Sequence, residues 1–210
     1  MPRSRRYQFE NAFYHVFNRG NARKTIFFSE LDFHIFLHHL AIASERFNVR
    51  VHSFCLMKNH YHLLLETPDA NLSKMMQSLM SNFSRHINKT IKSDGALFRD
   101  RFRSIVVDSD AYLLQLSRYI HLNPVKAGYV TNPLQYKWSS FPLFFEKKPS
   151  YPFLKTSCIL AYFKSPDEYF DYVSLGVDPA IERFYSKKYV PAILGSEQFV
   201  HKLKALASDS

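Results

Sequence analysis

His60 and His62 stand two residues apart in the run His60-Tyr61-His62-Leu63-Leu64-Leu65-Glu66, which reads as a β-strand. Alternate residues of a strand leave the same face, so both imidazoles point one way and Tyr61 turns into the opposite layer. Their Cα atoms would lie about 6.6 Å apart, which lets two ring nitrogens converge on one metal ion. Alone the pair is a weak signal, because two polar residues on the wet face of a half-covered sheet read the same way. Tyr119 and Asn123 are spaced i, i+4 in a segment of helical periodicity and share a face. Asn123 offers a carbonyl oxygen, the donor that Mg²⁺ and Mn²⁺ prefer. Taken singly, Asn123 reads better as a helix-end residue ahead of Pro124, and Tyr119 as a core aromatic.

A second group of residues suits phosphates. Leu97-Phe98-Arg99-Asp100-Arg101-Phe102-Arg103-Ser104 interleaves three arginines with two phenylalanines. Arginines can grip a nucleic-acid backbone while a nearby aromatic ring stacks on an unpaired base. The competing reading is an edge strand whose charges discourage aggregation. Arg3, Arg5 and Arg6 form a basic arm, and Arg19 and Lys126 are further candidates. The remaining histidines (15, 34, 38, 39, 52, 86, 121 and 201) lack comparable spacing and receive no role.

The elements that must position these groups follow from periodicity and turn residues. Phe13–Asn18 reads as a strand, and Ser29 caps a helix through Leu31, Phe33, Phe36 and Leu40. Asn48–Met57 and His60–Glu66 form a hairpin around Lys58-Asn59, which is not strong turn chemistry. A helix from Asn71 or Ser73 to about Ile91 follows, then a strand over Phe102–Val107 and a helix that Pro124 ends. The order β-α-β-β-α-β and then a helix is the split βαβ, ferredoxin-like α+β arrangement, an antiparallel sheet with both crossover helices on one face. The other face would be bare, a groove for an extended ligand. Beyond Gly128, prolines at 133, 142, 149, 152, 166, 179 and 191 punctuate aromatic stretches, with helices expected near 156–163, 166–175 and 196–207. We therefore expect a functional domain over 1–130 and a mostly helical extension over 131–210, packed on it.

Composition narrows the function classes. The 210 residues include 46% apolar and 16% aromatic residues, which exclude a disordered chain. Two cysteines exclude a disulfide framework and a Cys-only zinc site. No apolar run approaches a membrane span, and no apolar stretch follows the charged start, so a cytoplasmic protein is expected. The net charge is +10, and residues 1–130 carry 18 basic against 10 acidic residues. That excess, concentrated in one part, suggests a polyanionic partner there, most often nucleic acid.

At His60-Tyr61-His62 and at Tyr119-Ile120-His121-Leu122-Asn123-Pro124-Val125-Lys126-Ala127-Gly128 the sequence resembles the single-tyrosine HUH transposases, and within them the REP-associated tyrosine transposases. Tyr14-His15-Val16 with Asn18-Arg19-Gly20-Asn21, Met57-Lys58-Asn59-His60, and Leu97-Phe98 with Arg101-Phe102-Arg103-Ser104 fit as well. Weaker support comes from Leu194-Gly195-Ser196 before Phe199. The resemblance is strong from residue 3 to about 140. Lys58 stands where relatives often have proline, which touches no catalytic group.

The resemblance implies a nuclease and strand-transfer site. His60, His62 and Asn123 would hold Mg²⁺ or Mn²⁺, and Tyr119 would attack the scissile phosphate, leaving a 5′-phosphotyrosine and a free 3′-OH. Single-stranded or hairpin DNA of repetitive extragenic palindromes is the implied substrate, and a monomer is favoured over a dimer. Arg3, Arg5, Arg6, Arg19, Arg99, Arg101, Arg103 and Lys126 are the candidate DNA contacts. The rivals are a DNA-binding regulator that kept the fold and lost catalysis, and a replication or plasmid-mobilisation nickase with the same chemistry.

Overall fold

The computed structural model describes residues 6–148 and 150–208, without the side chains of residues 110, 207 and 208. Arg3 and Arg5 lie outside the described residues. The chain runs β1 (Ala12–Arg19), α1 (Glu30–Arg46), β2 (Arg50–Met57), β3 (His60–Thr67), α2 (Leu72–Thr90), β4 (Arg103–Val107) and α3 (Ser109–Lys126). The four strands lie in the order β2-β3-β1-β4, all antiparallel to their neighbours, which is the ferredoxin-like arrangement.

One face of the sheet is covered by α1 and α2, which pack on each other. Tyr61 points into this layer, where its ring meets Phe36 and Phe98 and its hydroxyl donates to Met80 Sδ at 2.8 Å. The start of α1 is fixed by Asp32, whose Oδ2 accepts from the backbone N–H groups of Phe28 and Ser29 at 2.8 Å each. The same buried carboxylate reaches His86 of α2 at 3.0 Å, so one side chain both caps α1 and ties the two helices together.

The opposite face is not bare, which corrects the expectation of an open groove there. Helix α3 packs across β2 and β3, and the C-terminal extension packs behind it. Leu113, Leu116 and Ile120 of α3 are buried, and leaving such a stripe in water would forfeit its burial energy. A buried polar chain locks the layers. Ser53 Oγ of β2 lies 3.0 Å from Ser117 Oγ, Ser117 lies 2.6 Å from Tyr169 Oη, and His121 bridges Tyr169 Oη and Ser140 Oγ at 2.8 Å each.

The extension comprises α4 (Ser157–Leu160), α5 (Pro166–Ser174), α6 (Pro179–Ser186), β5 (Ile193–Leu194) and α7 (Glu197–Ser208). Two of these elements are absent from the sequence-based expectation. Helix α6 begins with Asp178 accepting from Ala180 N at 2.8 Å and with Pro179 in its first turn, a start signal that was present in the sequence. Strand β5 pairs parallel to β4; Ala192 O just before it accepts from Val106 N at 2.9 Å and Leu194 O accepts from Asp108 N at 2.8 Å, satisfying that edge. Pro124 also does not end α3, which continues to Lys126. A proline so near the end removes only its own N–H, and the Asn123 side-chain amide approaches the Ile120 carbonyl left without it, at 3.5 Å. Among the described residues no helix is long and apolar enough to cross a membrane.

At the far end of β3, a bulge at residue 52 turns His52 toward Glu66. Glu66 accepts from His52 Nε2 at 2.9 Å and from Arg50 Nη1 at 2.7 Å. The His52 hydrogen bond leads in holding its carboxyl below the ordinary glutamate pKa, with Arg50 adding to it. A depressed carboxylate pKa contributes stability above the ordinary value of about 4.3, lost as pH falls through the folded value. Glu66→Gln should therefore lower stability in urea unfolding by about 1–2 kcal/mol at pH 7, with the gap to the parent closing below about pH 4.

Candidate functional site

The two-residue turn between β2 and β3 gains from its neighbours what Lys58-Asn59 lacks intrinsically. Lys58 O accepts from Ile26 N and Phe27 N at 2.9 and 3.2 Å, and Asn59 O accepts from Gly20 N at 2.9 Å. Gly20 is needed there for space, since a Cβ would stand 2.0 Å from the Lys24 carbonyl oxygen. The pinned turn sets the β3 register that places Arg19 opposite His60 and Phe17 opposite His62.

His60 and His62 leave the sheet on the α3 side, their ring centroids 5.2 Å apart and nearly perpendicular. His60 Nδ1 lies 2.7 Å from Asn59 Oδ1; a carbonyl oxygen can only accept, so Nδ1 carries the proton and Nε2 keeps its lone pair. His62 Nδ1 lies 2.8 Å from His15 Nε2, and His15 Nδ1 lies 2.5 Å from Tyr185 Oη of α6. Burial, with Arg19 nearby, lowers the His60 pKa to about 4. Burial, with His15 and His60 beside it, holds His62 well below its ordinary value, and burial alone takes His15 to about 3. All three rings are thus neutral at pH 7.

Tyr119 reaches this cluster from α3. Its ring lies edge-on to His15 and His62, with centroids 6.0 Å from each, and stacks on Tyr185 at 4.5 Å and 11°. Burial, and then Glu182, raises its pKa to about 12. Among the described residues no hydrogen bond engages the Tyr119 hydroxyl. Asn123 follows one turn later, its Nδ2 donating to the Tyr119 carbonyl at 2.8 Å.

The donors suit a divalent ion. His60 Nε2 and His62 Nε2 are ring nitrogens not spent on the contacts above, and the Asn123 amide spends its nitrogen on its own helix, leaving Oδ1. Among the described residues no group of three or more His, Cys, Asp or Glu is placed to hold a metal, so no third donor of those types completes the imidazole pair.

A groove of about 770 Å³ opens beside His60, lined by Phe17, Asn18, Arg19, Arg23, Asn59, Arg99, Asp100, Arg101, Arg103, Lys188 and Tyr189. Four arginines singled out from the sequence therefore share one wall system. Desolvation first, and then Arg99, Arg23 and Arg103, lower the Arg19 pKa from its ordinary value, with Asp100 opposing. Such mutual repulsion favours an incoming anion. Arg103 also spans the Phe17 ring at 5.5 Å and donates to Val190 O at 3.3 Å.

Two candidates lie elsewhere. Arg6 stacks on Phe102 at 3.9 Å and donates to its carbonyl at 2.7 Å, beside a neighbouring cavity that also touches Arg101 and Arg103. Lys126 pairs with Glu182 of α6 at 2.7 Å on the surface, apart from the groove. Sequence reasoning missed His15, Tyr185, Arg23, Lys188 and Tyr189. His15 carried a signal, since it alternates with Phe17 on β1, but its facing partner depended on a register no spacing reveals. Tyr185, Lys188 and Tyr189 come from a segment remote in sequence.

Residues 8–123, more than half of the chain, match the family described as "Transposase IS200 like". A Haemophilus influenzae protein provisionally named a REP-associated tyrosine transposase is 27% identical over 108 residues, covering 46% of this chain and 61% of that protein. The chain thus spans about three fifths of the length of that curated relative. The solved structure of a REP-associated tyrosine transposase bound to a REP hairpin shares the fold, with a TM-score of 0.58 at 17% identity over 68% of this chain and 84% of that one. The matched family region begins just before β1 and ends at Asn123, so it contains both histidines and Tyr119. The chain belongs to the IS200-like transposase family.

Proposed function

We propose that this protein cleaves and rejoins single-stranded DNA at hairpin-forming repeats, through a tyrosine–phosphate intermediate at a divalent-metal site. The observation that carries this reading is the meeting of Tyr119 with His62, whose partner His60 lines an arginine-rich groove. The likeness of fold to a REP-associated transposase bound to a REP hairpin supports hairpin DNA as the substrate class.

His60, His62 and Asn123 would hold Mg²⁺ or Mn²⁺ in this reading. Such an ion would supply positive charge beside the scissile phosphate, against the charge gained in the transition state. Tyr119 Oη attacks the phosphorus and forms a P–O bond as the bond to the 3′ oxygen breaks. The phenolic proton leaves to solvent or a phosphate oxygen, and the departing 3′ oxygen takes up a proton. Phenoxide is a better leaving group than alkoxide, so the free 3′-OH can reverse the step and rejoin strands without ATP. Tyr119 is a phenol at neutral pH, and burial raises its pKa further, so its proton must leave as the bond forms; its position one turn from Asn123 ties nucleophile and ligand to one helix. The meeting of Tyr119 with His62 of its own chain supports action as a monomer.

In the groove, Arg19, Arg23, Arg99, Arg101, Arg103 and Lys188 follow the phosphates, and Tyr189, 82% exposed at the rim, offers a ring for an unpaired base.

The chemistry is tested on denaturing gels with end-labelled hairpin oligonucleotides, with Mg²⁺, with Mn²⁺ or with chelator. We expect a metal-dependent, SDS-resistant adduct on the 3′-side fragment that Tyr119→Phe lowers by at least about 1,000-fold. Cleavage that persists in Tyr119→Phe overturns the mechanism, and binding without cleavage in any metal supports the regulator instead. The groove is tested by fluorescence anisotropy on single-stranded DNA across a salt series. Arg19→Ala and Arg99→Ala should each reduce the slope of log K against log salt by about 0.7–1, and unchanged slopes would place the strand elsewhere.

A further inference from the structure

We infer that Tyr185 and His15 form a relay that sets the tautomer of His62, so that a side chain of the C-terminal extension positions a metal ligand in the sheet. This rests on the reading of His62 as a ligand given above. The relay runs from Tyr185 Oη to His15 Nδ1 at 2.5 Å and from His15 Nε2 to His62 Nδ1 at 2.8 Å. It is enclosed, with His15 fully buried and His62 nearly so.

A neutral imidazole carries one N–H, so of two facing ring nitrogens one must donate and the other accept. If His15 donates from Nε2, His62 holds its own proton on Nε2 and has no lone pair there for a metal. If His62 donates from Nδ1, its Nε2 is a ligand. His15 then accepts on Nε2 and carries its proton on Nδ1, donating it to Tyr185 Oη. A hydroxyl can also donate, and Tyr185 donating to His15 Nδ1 would leave the His62 proton on Nε2, so the polarity of the Tyr185 hydroxyl, two positions removed from the metal site, decides between the two arrangements. The two ligands are oriented by different means. His60 is set by Asn59, its neighbour in sequence, whereas His62 depends on a residue of α6. Partners of this kind outside the ligand shell typically alter metal affinity 10- to 100-fold.

The test uses the full chain without DNA and follows Mn²⁺ binding by the EPR signal of the free ion. Long-range ¹H–¹⁵N NMR of the metal-free protein reports which nitrogen of His62 is protonated. We expect the wild type to hold the His62 proton on Nδ1. Tyr185→Phe and His15→Leu should weaken Mn²⁺ by about 10- to 100-fold. His15→Gln should stay within about threefold of wild type, because its carbonyl oxygen can accept from His62 Nδ1–H. A purely structural role would appear as equal loss of thermal stability and affinity in His15→Leu and His15→Gln, and would overturn the relay. So would a His62 proton on Nε2 in the wild type, a measurement that needs no variant to fold. Wild-type Mn²⁺ affinity in both Tyr185→Phe and His15→Leu, with His62→Ala defective, also removes the relay but leaves His62 a ligand. Equal binding by wild type and His62→Ala overturns the ligand reading itself.

Discussion

His15 and His62 are buried together between the sheet and α3, neutral, with one proton to place between their facing nitrogens. A buried ring nitrogen without a partner is costly, so the pair survives only if both strands hold their register. A one-residue slip of β1 would carry His15 into the layer occupied by Tyr61 and leave His62 facing nothing polar. The devices that prevent the slip are the pinned Lys58-Asn59 turn and the close approach at Gly20. The same requirement reaches the extension, because the far nitrogen of His15 is met by Tyr185.

Helix α3 is the element through which sheet and extension communicate. One side presents Tyr119 to the histidines, while Ser117 and His121 are held in the buried polar chain with Tyr169 and Ser140. Anchoring at both layers leaves the Tyr119 backbone little freedom, which the proposed role of nucleophile would require.

Covering the second sheet face separates two environments. The side of the site under α3 is dry, so charge developing there would be weakly screened. The groove beside it is wet and strongly basic, with arginines close enough to depress Arg19. Field focusing in such a groove would concentrate polyanions beside His60, which lines it. In the proposed reading, recognition and chemistry are thereby handled by adjacent regions of different polarity.

Much of this was legible in the chain. Strand alternation put His60 and His62 on one face, the i, i+4 spacing put Tyr119 and Asn123 on one side of a helix, and the element order implied the antiparallel sheet. These are local regularities, set by backbone geometry whatever the surroundings. Helix α6 could have been read from Asp178-Pro179, and β5 could not, since two residues become a strand only beside the unpaired edge of β4. The coverage of the second face, the gathering of Arg19, Arg99, Arg101 and Arg103 with Arg23 and Lys188, and the contacts of His15 with His62 and Tyr185 were decided by tertiary structure alone. Each depends on strand register or on the docking of segments far apart in sequence. Those are outcomes of packing the whole chain, and no spacing within a single segment encodes them.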